Sequence, residues 1–453
     1  MADELTWAPA WRISELIRAK EVSPVEVLDH FLGRIEQHQG LLRAFDHLDE
    51  GRARRDAKVA EVAVASGDEL GLLHGIPMAV KGHLDIEGLP QTMPFGNGIA
   101  EHDDLTVERL REAGAVIVGH TGMPVYSSDG SFDYEATARN PWDPSRTPGI
   151  SSAGSAAAVA AGLLPMAIGS DGGGSTRLPA AYTSLVGVHP TGGMVPWMGA
   201  LATSATSTIG PIARDVLDAA TVLAVIAGPD GRDEIGLPLD LPDPRSELDR
   251  GIEGLRLAWT DDFGFALDYS VEESPRVISH IREAALALND MGATVEPTDE
   301  QWEDYAIVMH ANFAAAGVAS MGLGASGDVG ELRRSATAVR QRNWLRFRKL
   351  FGQYDLLLSP TIHSVAPPIE VFATRIPSGM SLVEGGPGPM SYSVYTAQFN
   401  VLRFPAVSVP CGFVDGLPVG MQIVGFPGSD AKILRLARAF RHAFPHDARP
   451  TIS

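Results

Sequence analysis

Two glycine- and serine-rich stretches hold the residues with which this chain could perform chemistry. They are PGISSAGS, at residues 148–155, and GSDGGGSTR, at residues 169–177. A lysine closes a third segment, GIPMAVK, at residues 75–81. Hydrolysis of an amide needs an activated nucleophile, a base and donors that stabilise an oxyanion, because an amide is a poor electrophile with a poor leaving group. The three segments offer all of these together, and no other grouping in the sequence does.

The sequence between the two stretches predicts how they could meet. Residues 155–162 are small and of good helix propensity, and residues 163–169 form a short apolar run that is typical of a buried strand. A helix followed by a strand of these lengths could return Ser175 to the neighbourhood of Ser151.

Longer motifs resemble the signature of the amidase signature family. The resemblance is most specific from Arg139 to Ala180, and Lys81 in its Gly-Ile-Pro context matches the lysine of that family. Downstream it continues in YDLLLSPT (354–361), YTAQFN (395–400), FPAVSVPCG (404–412) and GLPVGMQIVG (416–425). It covers most of the chain and is weakest between about 228 and 355.

The resemblance implies a Ser-Ser-Lys triad. Ser175 would be the nucleophile, and Ser151 would take its proton while passing its own to Lys81. Lys81 must be neutral to accept a proton, and burial beside its apolar neighbours would lower its pKa. In this family a cis peptide bond leads into the first serine, so we expect a cis bond between Ile150 and Ser151.

The glycine run would complete the reaction site. Without side chains, the backbone amides of Gly172, Gly173 and Gly174 can approach a substrate carbonyl closely. With the amide of Ser175, they are the predicted oxyanion hole.

Further residues are predicted to support the loop or to line the pocket. By resemblance, Asp171 and Arg177 hold the loop in place through charge-assisted hydrogen bonds, and Ser152 is a further supporting residue that does not itself contact the substrate. The candidate substrate-binding residues are Val125, Tyr126, Ser127, the stretch 194–198, Tyr395 and Gln398. Their apolar and aromatic character indicates a moderately hydrophobic substrate.

Several positions depart from the family pattern, among them Ala153, which replaces a usual glycine. Ile150 stands where a second glycine is usual, and Gly82-His83 stands where the lysine is commonly followed by Asp-Asn. Val125 stands where an acidic residue is frequent. The latter two departures favour a stand-alone enzyme over a component of a larger assembly.

Each motif also has an ordinary structural interpretation. A Gly-Gly-Gly-Ser run is usually a flexible turn, an isolated lysine is usually a solvated surface residue, and Ser151-Ser152 could cap a helix. His83 is more often a structural histidine than a site residue. The family match at Ser151, Ser175 and Lys81 argues against three simultaneous coincidences.

Composition excludes several classes of partner and cofactor. The formal net charge of −20 argues against a nucleic-acid partner and disfavours an anionic membrane surface. The single cysteine, Cys411, cannot form an intrachain disulfide, and no Cys/His cluster has zinc spacing. We therefore expect no metal or cofactor. The acidic N-terminus lacks a signal pattern, so we expect a cytoplasmic protein.

The order of elements predicts an α/β fold. Ser23, Pro24 and Glu26 form a helix start with a capping box. Short β-rich runs at 115–119, 255–259, 356–358, 406–409 and 421–424 alternate with helical patterns. This alternation predicts a sheet covered by helices on both faces.

The family resemblance adds the domain organisation. It implies one large domain over residues 1–453 with a twisted, mixed central sheet. We expect a helical N-terminal segment over about 1–65 and a surface excursion over about 228–254.

The functional prediction is an amidase that cleaves a small carboxamide, ester or carbamate through an acyl-serine intermediate. A first alternative is an ammonia-supplying protein that resembles the A-type component of glutamyl-tRNA amidotransferase and requires a partner chain. A second is a non-catalytic binding protein on the same fold. A homodimer is implied by the resemblance alone.

Overall fold

The computed structural model describes most of the chain at the level of individual residues. The described residues are 2–92, 96, 98–123, 125–126, 132–133, 136–198, 206–233, 236, 241–315, 329–370, 392–445 and 448–452.

A mixed sheet runs through the described part of the molecule. It contains 11 strands in the order β1-β3-β2-β6-β8-β7-β12-β13-β11-β9-β10, and β4 and β5 form a separate pair. The strands are β1 (Phe45–Leu48), β2 (Pro77–Lys81), β3 (Val116–Thr121), β4 (Val125–Tyr126), β5 (Phe132–Asp133), β6 (Met166–Asp171), β7 (Val186–His189), β8 (Thr208–Ala213), β9 (Arg256–Trp259), β10 (Thr294–Pro297), β11 (Leu356–Pro360), β12 (Ala406–Val414) and β13 (Leu417–Val424).

Parallel pairing at one part of the sheet sets up the site. Strand β2 lies between β3 and β6 and is parallel to both. Met78 pairs with Met166 and Val80 with Ile168, so the C-terminal ends of β2 and β6 lie side by side. Both strands are buried along their whole length, as expected for parallel strands covered on both faces.

Helices cover both faces of the sheet, which confirms the predicted α/β class. They are α1 (Ala2–Trp7), α2 (Ala10–Arg18), α3 (Pro24–Leu42), α4 (Glu50–Ser66), α5 (Leu105–Glu112), α6 (Ala153–Ala160), α7 (Arg177–Thr183), α8 (Val216–Ile226), α9 (Ser274–Leu286), α10 (Ala306–Ala315), α11 (Val329–Leu350), α12 (Ala397–Leu402) and α13 (Asp430–Ala443). In the part of the chain that the structure describes, 3-10 helices span Ala266–Tyr269 and Ala287–Met291.

Local sequence signals explain where helices begin. Ser23 Oγ accepts a hydrogen bond from the Glu26 amide at 3.1 Å, and the Glu26 carboxylate accepts one from the Ser23 amide at 2.8 Å. This is the predicted capping box, and it begins α3 at Pro24. Helix α6 consists almost entirely of alanine, glycine and serine and is fully buried, so its small side chains allow close approach of its neighbours.

Two segments show how the N-terminal region and the excursion are built. Residues 2–66 are mainly helical, but the short strand β1 interrupts them and pairs antiparallel with β3. The described residues of 228–254 form turns without helix or strand. Within the described part of the chain, no helix has the length and apolar character needed to cross a membrane.

Candidate active site

Lys81 ends strand β2 and is almost completely buried, with 1% of its surface exposed. Its Nζ atom forms hydrogen bonds with Ser151 Oγ at 2.5 Å, with Ser170 Oγ at 3.0 Å and with the Ser170 carbonyl at 3.4 Å. The parallel register of β2 and β6 explains the contacts with Ser170, which lies near the end of the neighbouring strand. Sequence reasoning missed Ser170, although it stands within the quoted motif.

Burial changes the acid–base behaviour of Lys81. Removal from water disfavours the charged ammonium and lowers the pKa from 10.5 to about 7, against an opposing effect of the Asp171 charge. A large share of Lys81 is therefore neutral at neutral pH, as the sequence analysis required of a base.

Ser151 lies two residues before the buried helix α6. The peptide bond between Ile150 and Ser151 is cis, as expected. Ser151 itself is half-buried, whereas the following Ser152 is fully buried. Ser152 Oγ donates to the Ser170 carbonyl at 3.2 Å and accepts from the Ser170 amide at 3.3 Å. Ser152 thus fixes the end of β6 against the segment that carries Ser151.

Ser175 lies in the short loop between β6 and α7 and is half-buried. Ser152, which follows Ser151, and Thr176, which follows Ser175, both lie close to Gly169 of β6. A Cβ atom placed on Gly169 would lie 2.8 Å from Ser152 Oγ and 2.9 Å from Thr176 Cγ2. The two serine segments therefore meet over β6. Among the described residues, the Ser175 hydroxyl forms no hydrogen bond, whereas Lys81 and Ser151 are hydrogen-bonded to each other.

The four predicted oxyanion donors are not equivalent. The Gly174 amide already donates to Asp171 Oδ1 at 2.6 Å. No described acceptor engages the backbone amides of Gly172, Gly173 and Ser175. These three amides are available to a ligand, and the amide of Gly174 is not.

Asp171 and Arg177 form a buried ion pair beneath the loop. Both side chains are fully buried, with Arg177 Nε 2.9 Å from Oδ2 and Nη2 2.9 Å from Oδ1 of Asp171. Burial alone would raise the pKa of Asp171, but the charge and hydrogen bonds of Arg177 hold it well below the usual value. Asp171 also accepts from the Thr176 hydroxyl at 2.7 Å.

Two amide side chains from distant parts of the chain complete this ion pair. Gln422 Oε1 accepts from Arg177 Nη1 at 2.7 Å, and Asn400 Nδ2 donates to Asp171 Oδ1 at 2.8 Å. Sequence reasoning quoted both motifs but assigned these residues no role. Every strong donor and acceptor of the pair is thus satisfied, as a buried ion pair requires.

A small pocket lies beside the loop, and Gln398, one of the predicted substrate-binding residues, is among the residues that line it. Its walls are mainly aromatic and aliphatic, with Phe265, Tyr305, Met309 and Val394 among them. Tyr395 does not line it: its hydroxyl donates to the Asp261 carbonyl at 2.7 Å, and its ring is part of the adjoining aromatic core.

The other predicted pocket residues either lie outside the lining of this pocket or have side chains outside the described residues. Val125 and Tyr126 form strand β4, and their side chains lie outside the described residues, as does the whole of Ser127. In the stretch 194–198, Trp197 is buried and meets the His83 ring edge-on at 5.4 Å. Burial holds the pKa of His83 well below its usual value, so this histidine is neutral.

No metal site accompanies these residues in the described part of the chain, where no group of three or more His, Cys, Asp or Glu residues could hold an ion. The arrangement offers a neutral buried amine, two nearby serine segments and free backbone amides. These are the groups of general-base and nucleophilic chemistry.

Comparison with known proteins agrees with this chemistry. A model of the Amidase family matches residues 26–323 and 321–434. The A-type component of the glutamyl-tRNA(Gln) amidotransferase of Desulforudis audaxviator is 34% identical over 96% of this chain and 96% of its own length. Its counterpart from Symbiobacterium thermophilum is also 34% identical, over 98% of both chains.

A solved structure gives the same result at the level of the fold. A bacterial aryl acylamidase of the amidase signature family superposes with a TM-score of 0.82 at 27% identity, with 97% of each chain covered. The matches extend over almost the whole sequence, and the chain therefore belongs to the amidase signature family of enzymes that act on carbon–nitrogen bonds.

Proposed function

We propose that this protein hydrolyses a carboxamide C–N bond through an acyl-serine intermediate. The observation that carries the proposal is the buried amine of Lys81, with its pKa near 7, against the hydroxyl of Ser151. A neutral amine has two N–H donors and one lone pair. The hydroxyl and carbonyl oxygens of Ser170 can take the two donors, which leaves the lone pair for the proton of Ser151.

The reaction follows from this arrangement. Ser175 Oγ attacks the substrate carbonyl carbon while its proton passes to Ser151, whose own proton passes to Lys81. The negative charge moves to the carbonyl oxygen, where the free amides of Gly172, Gly173 and Ser175 donate to it. The C–N bond then breaks as Ser151 returns a proton to the leaving nitrogen. Water attacks the acyl-enzyme by the same relay and releases the acid.

Because Ser175 makes no hydrogen bond to the described residues, the proposal includes a requirement for substrate. A bound carbonyl beside the glycine amides would draw the hydroxyl into line with Ser151. Hydrogen bonds at a reaction site often tighten only in the complex, so the geometry of the free protein does not rule out a nucleophile.

The experiment is an activity screen of the purified chain against anilides, short aliphatic amides, aryl esters and carbamates. The matched control is Ser175→Ala, and Ser184→Ala removes a serine hydroxyl outside the proposed triad. We expect the wild-type protein to turn over at least one of these substrates. Ser175→Ala should abolish this activity and Ser184→Ala should leave it intact, and a fluorophosphonate should label Ser175. Turnover that survives in Ser175→Ala, or a label on another residue, would refute the assignment.

A second candidate function is that of an A-type amidotransferase component, which would release ammonia from glutamine for a partner chain. It is favoured by the curated relatives, which at 34% identity carry this name and match nearly the full length. The two functions share the acyl-serine chemistry and differ in substrate and partner. Glutamine hydrolysis that appears only when partner chains are added, with no turnover of simple amides by the isolated chain, would decide for the amidotransferase.

A further inference from the structure

The pocket beside the loop adjoins one of the free backbone amides. Met309 Cε lies 3.3 Å from the place where a Cβ atom on Gly173 would stand. The Gly173 carbonyl accepts from the hydroxyl of Thr396 at 2.6 Å, and Thr396 leads into helix α12, whose residue Gln398 lines the pocket. A group that projects from a carbonyl bound at Gly173 would therefore meet this pocket.

The pocket is apolar but carries hydrogen-bond acceptors. Gln398 is 1% exposed, and its Nε2 atom donates to the Tyr395 carbonyl at 3.2 Å. Its Oε1 atom is buried without a hydrogen-bond partner among the described residues. A buried carbonyl oxygen in this state is unfavourable unless a ligand supplies a donor.

Asp304 adds a carboxylate to the same wall. Its Oδ1 atom accepts from the Ala306 amide at 2.8 Å, and its Oδ2 atom accepts from the hydroxyl of Tyr269. No lysine or arginine within the described part of the chain forms an ion pair with Asp304 or lines the pocket. The described lining thus carries a carboxylate and no cation, and the charges of Arg340 and Arg346 act on it through Tyr305.

We propose that this pocket selects amide substrates whose apolar part bears a protonated amine and rejects those that bear a carboxylate there. The ammonium would donate to Gln398 Oε1 and lie near Asp304, while the aromatic and aliphatic walls contact the apolar body. An anionic group would face the half-buried Asp304 with no cation in the described lining to offset it, and the like charges repel. This inference rests on the proposed function for its substrate class but concerns charge selection alone.

The selection bears on the two candidate functions. Free glutamine carries an α-carboxylate, and such a group needs a cationic partner in a desolvated pocket. The described lining offers none, so this pocket is suited to a cationic or neutral amide instead.

The test uses para-substituted benzamides and acetanilides, each with a methyl, an aminomethyl or a carboxylate substituent. The two series place the substituent on the acyl side or the leaving side of the amide. We expect kcat/KM in at least one series to be at least tenfold higher for aminomethyl than for carboxylate. In Asp304→Asn, the asparagine can still accept a hydrogen bond from the Ala306 amide. The ratio of kcat/KM for the aminomethyl compound to kcat/KM for the methyl compound should fall about tenfold in this variant.

Two further variants keep the test decisive. Asp268→Asn removes an exposed carboxylate from the neighbouring 3-10 helix and should leave the ratio unchanged, whereas Gln398→Met should lower it. The inference would be overturned, while the proposed function stands, by any of three results. These are equal kcat/KM for the three substituents in both series, a higher kcat/KM for the carboxylate, or an effect of Asp268→Asn as large as that of Asp304→Asn.

Binding to the Ser175→Ala variant separates the two proposals. Calorimetry with the aminomethyl and carboxylate compounds reports the charge preference without turnover. Tighter binding of the aminomethyl compound supports the inference even if the wild-type protein hydrolyses neither, an outcome that would count against the proposed function only. Equal binding, or tighter binding of the carboxylate, refutes the charge selection.

Discussion

The Nζ atom of Lys81 lies 2.5 Å from the Oγ atom of Ser151, although the two residues are 70 positions apart in sequence. Lys81 ends a strand that is buried along its length, and Ser151 lies two residues before a buried helix of small residues. The same burial that brings the two atoms together removes the amine from water. Position and acid–base state of Lys81 thus have one cause.

The first prediction concerns the dependence of the reaction on pH. Burial lowers the pKa of Lys81 to about 7, and only the neutral amine can take a proton. We expect kcat/KM to rise about tenfold per pH unit below pH 7 and to level off above it. A pH–rate profile with an aryl amide checks this.

The rate of covalent labelling of Ser175 by a fluorophosphonate provides a control that needs no substrate. The rate should follow the same curve, because the same amine must be neutral. A labelling rate that is independent of pH between 5 and 9 would contradict the role of Lys81.

The second prediction concerns stability. Unfolding restores the pKa of Lys81 to about 10.5, so the unfolded chain binds a proton that the native chain does not bind between pH 7 and 10.5. The burial penalty is complete below pH 7 and vanishes above pH 10.5. Lys81→Met, which removes the amine, should raise the free energy of unfolding on the order of 2 kcal/mol at pH 7, with a gain that shrinks as pH rises.

Urea denaturation at several pH values measures this gain. The control is Lys58→Met, which makes the same substitution at a lysine whose side chain is 67% exposed. Because this side chain is exposed, Lys58→Met should give no comparable gain at pH 7. A gain for Lys81→Met that grows with pH would show that burial does not lower the pKa of this lysine.

Local patterns in the sequence predicted much of the fold and part of the site. The capping box at Ser23 and the buried strand after α6 are set by neighbouring residues, so they could be identified without the tertiary structure, although the strand spans Met166–Asp171 and not the predicted residues 163–169. The family motifs identified Lys81 and Ser151, which the structure brings into contact, and the cis bond before Ser151.

Long-range contacts explain what the sequence analysis missed. Asn400 reaches Asp171 across 229 positions and Gln422 reaches Arg177 across 245, and no spacing rule connects such pairs. The use of the Gly174 amide by Asp171 depends on how the loop folds around a buried carboxylate. Tyr395 was assigned to the pocket for its residue type, but the direction of its hydroxyl is decided by core packing.

The third prediction concerns the buried ion pair. Arg177→Met would leave the carboxylate of Asp171 buried without its cation, and loss of one partner of a buried pair typically costs about 3–5 kcal/mol. We expect this loss in the free energy of unfolding from urea denaturation, together with loss of turnover, because Asp171 orders the glycine loop. The double variant Asp171→Asn/Arg177→Met should recover part of the stability.

A surface ion pair provides the control for Arg177. Arg276 and Asp415 pair at 2.8 Å with side chains 61% and 51% exposed, and Arg276→Met should change stability little. An equal loss for the two arginine variants would show that burial does not distinguish them.

The fourth prediction contrasts two neighbouring glycines. Gly174 has a φ of +131°, and a Cβ atom there would overlap with Thr396 Oγ1, so Gly174→Ala must distort the loop. A Cβ atom on Gly173 would meet only the flexible end of Met309, at 3.3 Å. Gly174→Ala should therefore lower the melting temperature by several degrees, whereas Gly173→Ala should leave the melting temperature nearly unchanged.

Because Met309 lines the pocket, Gly173→Ala should instead lower kcat/KM for bulky amides more than for small ones. Thermal denaturation and a substrate series of increasing size measure both effects, and equal destabilisation by the two substitutions would argue against the described conformation of the loop.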